Sequence, residues 1–235
     1  MKPYVICHMM PSVDGRIVID EWPRGVASAA LYDKTADQLK TQAWVCGTVT
    51  MEEFSGPGRF RGPGKGKRSN TPKTDWIVED GSKSFAVAID ASGRLNWKSN
   101  DINGDRLIVV LTERATSAYL DFLRGKNISY LFAGKEDVDF ARALEKLRAH
   151  FGIRRVSIQG GGKINGAFLN AGLIDEVSLA FVPVVDGAMG TPTVFDIVGR
   201  SKHAPSNLRL TSMKRLANGV VWLRYRVVRG GGKRS

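Results

Sequence analysis

The stretch with the clearest chemical potential reads Ser157-Ile158-Gln159-Gly160-Gly161-Gly162-Lys163-Ile164-Asn165-Gly166. An apolar strand pattern runs into three glycines and then directly into a helical pattern. With no Cβ at the turn, a ligand phosphate can approach backbone N–H groups at a helix N-terminus, where the helix dipole favours an anion. The spacing is not G-x-G-x-x-G, and no acidic residue stands clearly about 20 positions later, so the dinucleotide fingerprint is incomplete. A tight strand–helix turn without ligand explains the same residues.

Other groups invite chemistry in the same double way. Asp14, ahead of Gly15, is a candidate proton donor, or simply the Asp of an Asp-Gly turn. His8 lies inside an apolar strand, where a hydrogen-bonded core histidine is the plainer reading. Glu52 and Glu53 open a short helix after Thr50, where the dipole alone favours acids. His150 and His203 read as surface residues. Cys7 and Cys46 are far apart in strand-like runs, which argues against a disulfide framework or a metal site and fits a reducing cytoplasm.

The elements that must position these groups alternate. Strands are expected at Tyr4 to Met10, Arg16 to Ile19, Trp44 to Cys46, Phe85 to Ile89, Leu107 to Leu111, Ile128 to Phe132, Arg155 to Ile158 and Glu176 to Val182. Helices are expected at Leu31 to Thr41, Thr50 to Phe54, Ser117 to Arg124, Asp137 to His150 and Ile164 to Ala171, with Leu144 and Leu147 on one face. Near the end, Leu208 to Leu216 and Val220 to Val228 flank Ala217-Asn218-Gly219. Asn-Gly tolerates positive φ and signals a hairpin. The pattern predicts an α/β fold, a three-layer α/β/α domain over 1–229, whose mostly parallel central sheet is closed by a C-terminal antiparallel hairpin. Residues 230–235, rich in glycine, are expected to form a flexible tail.

The chain has 235 residues and a formal net charge of +12, a balance that suits nucleic acid, an anionic membrane surface or a phosphorylated ligand. Arg59, Arg61, Lys65, Lys67, Arg68 and Lys73 crowd the Gly/Pro-rich stretch 55–84, read as a long mobile basic loop, and Arg229, Lys233 and Arg234 form a second cluster. Aromatics do not interleave with the loop's bases, as a single-strand binder would want, and no zinc-finger or RRM motif is present. A non-catalytic binder of nucleic acid or anionic surfaces therefore stays the rival of an enzyme that takes a small molecule. No apolar run approaches the roughly 20 residues of a membrane span.

Five segments in register resemble the reductase domain of the riboflavin-biosynthesis deaminase–reductase, a family with a dihydrofolate-reductase-like fold. Ser12-Val13-Asp14-Gly15-Arg16-Ile17 resembles its Ser-Leu-Asp-Gly-Lys-Ile, and Cys46-Gly47-Thr48-Val49-Thr50 its Val-Gly-x-x-Thr. Gln159-Gly160-Gly161-Gly162 resembles its Glu-Gly-Gly turn. Leu173-Ile174-Asp175-Glu176-Val177 and Val182-Pro183-Val184-Val185-Asp186-Gly187 resemble the two motifs that follow it. The resemblance implies NADPH, homodimers, and a small heterocyclic substrate reduced by hydride transfer to a C=N or C=O carbon. It carries cofactor contacts to Met10, Thr50, Gly160, Gly161, Gly162, Lys163 and Ile164. NADPH differs from NADH by a 2′-phosphate, which an Arg beside a hydroxyl commonly reads. Thr112-Glu113-Arg114, after a predicted strand, makes Arg114 that candidate, the alternative being an exposed helix start capped by Thr112 or Thr116.

The substrate positions depart from the family. Gln38 stands where riboflavin members carry Arg, Phe54 where they carry Asp, and Gln159 where they carry Glu; Arg61 matches a further substrate-contacting Arg. Thr50-Met51-Glu52-Glu53-Phe54 looks closer to the Thr-Tyr-Glu-x-Phe of broader dihydrofolate-reductase-like relatives. The named expectation is 5-amino-6-(5-phosphoribosylamino)uracil reduction, with a related reductase of another substrate as the alternative.

Overall fold

The computed structural model describes residues 1–20, 22–62, 69–199 and 205–228. The expected tail 230–235, Arg229, Lys65, Lys67, Arg68 and His203 lie outside them. The described chain forms two compact units: residues 1–3 with 42–156, and residues 4–41 with those from 157 onward.

The first unit holds strands β2 (Ala43–Gly47), β3 (Phe85–Ile89), β4 (Asp101–Ile102), β5 (Asp105–Leu111) and β6 (Ser129–Phe132). Its helices are α2 (Thr48–Met51), α3 (Ser117–Gly125) and α4 (Phe140–Phe151). Strands β2, β3, β5 and β6 pair in parallel in that order, and β4 folds back antiparallel on β5. Leu107 to Leu111 are wholly buried, the condition of a parallel strand covered on both faces. One face packs Ala86, Ala88, Leu107, Val109 and Leu111 against Tyr119, Leu120 and Leu123 of α3. Helix α3 starts where Thr116 accepts the Tyr119 N–H, and α4 where Asp139 accepts the Arg142 N–H. Helix α4 ends at Gly152 in the left-handed region, φ 65°.

The stretch 55–84 is tethered at several described points. Gly56 and Phe60 donate their N–H groups to the Asn96 and Arg94 carbonyls at 2.6 and 2.9 Å. The Phe60 ring lies 5.1 Å from Tyr119 and 4.9 Å from Phe122. Trp76 exchanges both backbone hydrogen bonds with Tyr130 on the edge of β6, each 2.9 Å. The Asp75 carboxylate accepts from the Phe132 N–H at 2.8 Å and pairs with Lys146 at 2.7 Å. Periodicity does not expose these anchors, because Phe60 stands alone between Arg59 and Arg61 and Trp76-Ile77-Val78 is too short a run to read as a strand.

The second unit holds β1 (Tyr4–Met9), α1 (Ala29–Asp37), α5 (Gly162–Asn170), β8 (Glu176–Phe181), β9 (Asn207–Arg215) and β10 (Val221–Val228). The division of the chain falls within β7 (Arg155–Ile158). Strand β8 runs parallel to β1; β10 pairs antiparallel with β8 and then with β9. The hairpin turns at Asn218 and Gly219, φ 57° and 74°, as Asn-Gly requires. Ile6, Leu39, Ala180, Val182, Val220 and Trp222 form a core there.

His8 is a satisfied core residue. Thr35 donates its hydroxyl to the Tyr32 carbonyl, so it must accept from His8 Nε2, 3.1 Å away. Ser178 accepts the Trp222 indole N–H and donates to His8 Nδ1 at 3.0 Å. Burial lowers its pKa to about 4, so the ring is neutral near pH 7.

The strand expected at Arg16 to Ile19 does not form; only Arg16 makes a bridge, with Thr193. Ile17 donates to the Pro192 carbonyl and Val194 to the Gly15 carbonyl, so loop-to-loop bonds take the place of a sheet ladder. Phe60→Ala should remove the aromatic anchor of 55–62, costing about 2 kcal/mol in urea unfolding, and should speed hydrogen exchange at the Gly56 and Phe60 amides.

Candidate functional site

In the second unit the glycines of the 160–166 turn have separate physical reasons. Gly161 caps α5 with φ 60° and ψ 136°, a backbone region that side chains with a Cβ avoid. A Cβ built there would meet open space. Gly162 and Gly166 are pressed against the segment 193–196: a Cβ on Gly162 would overlap the Thr193 carbonyl and the Asp196 carboxylate, and one on Gly166 the Asp196 carbonyl. Asp196 donates its N–H to the Gly162 carbonyl at 2.9 Å, and its carboxylate accepts the Thr193 hydroxyl at 2.7 Å and N–H at 3.1 Å. Buried Asn165 donates to the Val194 carbonyl at 2.8 Å.

The turn therefore has a packed side and an open side. The first N–H groups of α5 have no carbonyl within the helix to bond, and over Gly161 no side chain stands in the way. Lys163 is exposed beside it, and Ile164 is half-buried. The Asp196 carboxylate sits on the packed side, its oxygens engaged by Thr193. Free N–H groups at a helix start are the kind of group that receives a phosphate.

Asp14 occupies a different structure. Its carboxylate accepts the Ser12 hydroxyl at 2.7 Å, the Asp186 N–H at 3.0 Å and the Gly187 N–H at 2.9 Å, and lies 3.9 Å from Arg16 Nε. Hydrogen bonds, that of Ser12 first, hold its pKa well below the usual carboxylate range. These bonds make Asp14 a clamp joining 12–16 to 186–187. The segment 191–196 links this clamp to the glycine turn, since Val194 bonds Gly15 and Asp196 bonds Gly162.

Three further candidates lie in this unit. Met10 is half-buried against the Ile6–Trp222 core. Gln38 is exposed, donates to the Lys34 carbonyl and accepts from Lys214, each at 3.2 Å. Gln159 turns back on its own strand, donating to Ser157 Oγ at 2.7 Å.

In the first unit Thr50 is half-exposed in α2, and Phe54 packs its ring 5.7 Å from Trp44. Arg61 is exposed. Arg114 is 54% exposed and stands 4.0 Å from Glu136. Thr116 caps α3, while Thr112 donates to the Ala91 carbonyl at 2.8 Å. Sequence patterns miss Asp90, just past the end of β3. Its Oδ2 accepts the Arg94 N–H, the Leu95 N–H and the Tyr119 hydroxyl at 2.8, 3.0 and 2.9 Å. Trp97 donates its indole N–H to the Tyr119 oxygen at 3.0 Å. Burial raises the Asp90 pKa. Buried bonds of this kind shape the loop 90–97.

Two outcomes follow. Gly162→Ala should destabilise the protein by more than about 2 kcal/mol, because backbone must move, whereas Gly161→Ala meets only a backbone penalty of roughly 1 kcal/mol; equal losses in chemical unfolding would contradict the packed-side, open-side division. Asp14, whose folded pKa is depressed below its unfolded value near 3.9, contributes stability fully present above that value and lost as pH falls through the folded pKa. Asp14→Asn should therefore melt earlier than wild type near pH 7, and the gap should shrink as pH drops below about 4.

The RibD C-terminal domain family model matches residues 3–222. A 2,5-diamino-6-ribosylamino-4(3H)-pyrimidinone 5′-phosphate reductase of Aquifex aeolicus is 24% identical over 197 residues, covering 82% of this chain and 82% of the relative. Its counterpart in Archaeoglobus fulgidus is 24% identical over 207 residues, covering 83% and 87%. A pyrimidine reductase-like protein of Corynebacterium diphtheriae superposes with a TM-score of 0.71 at 16% identity, covering 97% of this chain and 93% of that one. The fold class is α/β, a mostly parallel sheet with antiparallel C-terminal strands, in keeping with the superposition on the Corynebacterium protein. With a family model spanning nearly its whole length, the chain belongs to the RibD C-terminal domain family.

Proposed function

We propose that this chain is an NADPH-dependent reductase of a ribosylamino-pyrimidine, the class named for the Aquifex and Archaeoglobus relatives, and that it works as a homodimer. The observation that carries the reading is the glycine turn: a helix N-terminus with an open side at Gly161, in a chain matched by a reductase-domain family. Gly160, Gly161, Gly162 and Lys163 would hold the cofactor pyrophosphate through backbone N–H groups and the Lys163 charge. Bound there, the cofactor supplies a hydride for an electron-poor C=N or C=O carbon. The chain's own part is to bind and orient. With Asp14 ionised and His8 neutral and enclosed, the proton comes from water or from a group on the substrate. Buried free Cys7 and Cys46 support a reducing, cytoplasmic setting.

The departures at Gln38, Phe54 and Gln159 bear on the substrate. A phosphoribosyl pyrimidine offers donors that carboxylates would accept. Phe54 can do neither, and Gln159 already spends its amide N–H on Ser157. The substrate reading is accordingly the riboflavin step with altered contacts or the reduction of a less charged heterocycle; Arg61 is exposed.

Mixing the protein with NADPH and the deaminated ribosylamino-pyrimidine phosphate should oxidise the cofactor, followed at 340 nm as its absorbance is lost; bound NADPH without turnover would reject the riboflavin step. NADPH should bind at least about tenfold more tightly than NADH, about 1.4 kcal/mol, and Arg114→Ala should erase most of that difference by titration calorimetry. Asp14→Asn, assayed at a temperature where it is folded, should leave the pH profile of kcat unchanged.

A further inference from the structure

In the sheet of the second unit, β9 and β10 set bases side by side. Register places Arg226 of β10 directly opposite Arg209 of β9, and Trp222 opposite Lys214. Alternation along β10 puts Trp222, Arg224 and Arg226 on one face, and Lys214 Nζ lies on that face too, 5.3 Å from the Trp222 ring centre. Glu176 of β8 is buried there and already taken: Arg224 Nε donates to it at 2.6 Å and the Tyr4 hydroxyl at 3.1 Å. Arg226, in register with Glu176, donates to the Tyr4 oxygen instead. Arg209, Lys214 and Arg226 are exposed, and among the described residues no carboxylate forms an ion pair with any of the three. Helix α1 adds to the same side. It turns Leu31, Thr35 and Leu39 inward, and Lys214 donates to Gln38 on its flank at 3.2 Å. Lys34, one turn before Gln38, shares that flank, whereas Asp33 and Asp37 lie on the outer side of the helix.

Like charges directly opposite each other across two strands destabilise a sheet. With Glu176 spent on Arg224, the Arg209–Arg226 pair finds relief only in an anion from outside the chain. We propose that this basic face of β9, β10 and α1 docks the phosphate backbone of duplex nucleic acid without reading its bases. The site is independent of the cofactor reading above. Spacing agrees with such a partner. Lys214 stands opposite Trp222, four residues along β10 from Arg226, about 13 Å at roughly 3.3 Å per residue. That spans about four phosphates of one strand at a rise of roughly 3.4 Å each. Arginine forks match phosphate oxygens bidentately, and contacts of this kind position a duplex without specifying its sequence. What the face lacks excludes the other polyanions. Trp222 is 1% exposed beneath Lys214 and Arg224, so no ring is free for the base stacking that holds a single strand. An anionic bilayer takes apolar side chains into its interface, and an acidic protein needs an apolar centre to its contact; the apolar residues of this face, Trp222 and Ala180, are both buried. The net charge of +12 draws a polyanion from a distance, and this face gives it a place to rest.

Fluorescence anisotropy of a labelled DNA duplex of arbitrary sequence, titrated with the full chain at low salt, should give a dissociation constant on the order of micromolar. Four phosphate contacts, from Lys34, Arg209, Lys214 and Arg226, predict a slope of about −3.5 in log affinity against log salt. The triple substitution Arg209→Gln, Lys214→Gln, Arg226→Gln should weaken binding at least about tenfold and make the slope shallower by about 3. A control with the same change of charge, Lys83→Gln, Lys135→Gln, Arg142→Gln, should leave the slope as in wild type. Lysine acetylation of wild type, mapped by mass spectrometry, reads the face without substitution: the duplex should protect Lys34 and Lys214 and leave Lys83 and Lys135 reactive. No binding at low salt, or a control triple that loses as much as the test triple, would overturn the proposal. So would unprotected Lys34 and Lys214, tighter binding to a single strand than to the duplex, or binding to vesicles of anionic lipid with none to the duplex.

Discussion

The second unit depends on the close approach of residues 193–196 to helix α5. Gly162 and Gly166 remove the two Cβ atoms that would collide with the Thr193 and Asp196 backbone. Asp196 then bonds the Gly162 carbonyl, and Asn165 reaches Val194. Through Val194 and Gly15 the same segment holds the 12–16 loop, whose Asp14 reaches on to Asp186 and Gly187. One packing constraint thus sets the direction in which the open N-terminus of α5 faces.

That constraint divides the three consecutive glycines by role. A turn that approaches a ligand and a helix that approaches another backbone both call for glycine, and the residue type alone does not tell them apart. Gly161 is glycine for its positive φ with free space above it; Gly162 is glycine because no side chain fits. The anion-favouring end of the helix remains available because the nearby Asp196 carboxylate is turned to Thr193.

Charge is arranged in keeping with this. Asp14 and Glu176 are held by hydrogen-bond donors or a base, His8 is neutral in a closed chain of bonds, and Asp90 is buried under Tyr119. These titratable groups are spent on shape.

Legibility in the sequence follows from the range of the interactions concerned. Alternation and helical spacing identify β3, β5, β7, α3 and the Asn-Gly hairpin, because burial on two faces or one, and positive φ at a turn, are decided by neighbouring residues. The glycine turn and the five family motifs are local too. The sequence by itself therefore determined the fold class and the family. It could not reveal that Asp14 clamps two loops together, that Arg16 to Ile19 bonds to loops, that Phe60 and Trp76 tie down the basic stretch, or that Asp90 organises a buried network. Each of these depends on partners far away in the chain, among them Asp186, Pro192, Tyr130 and Tyr119. Only the tertiary structure decides which distant donor meets which acceptor, since a single polar or aromatic residue in a loop carries no periodicity from which its partner could be read.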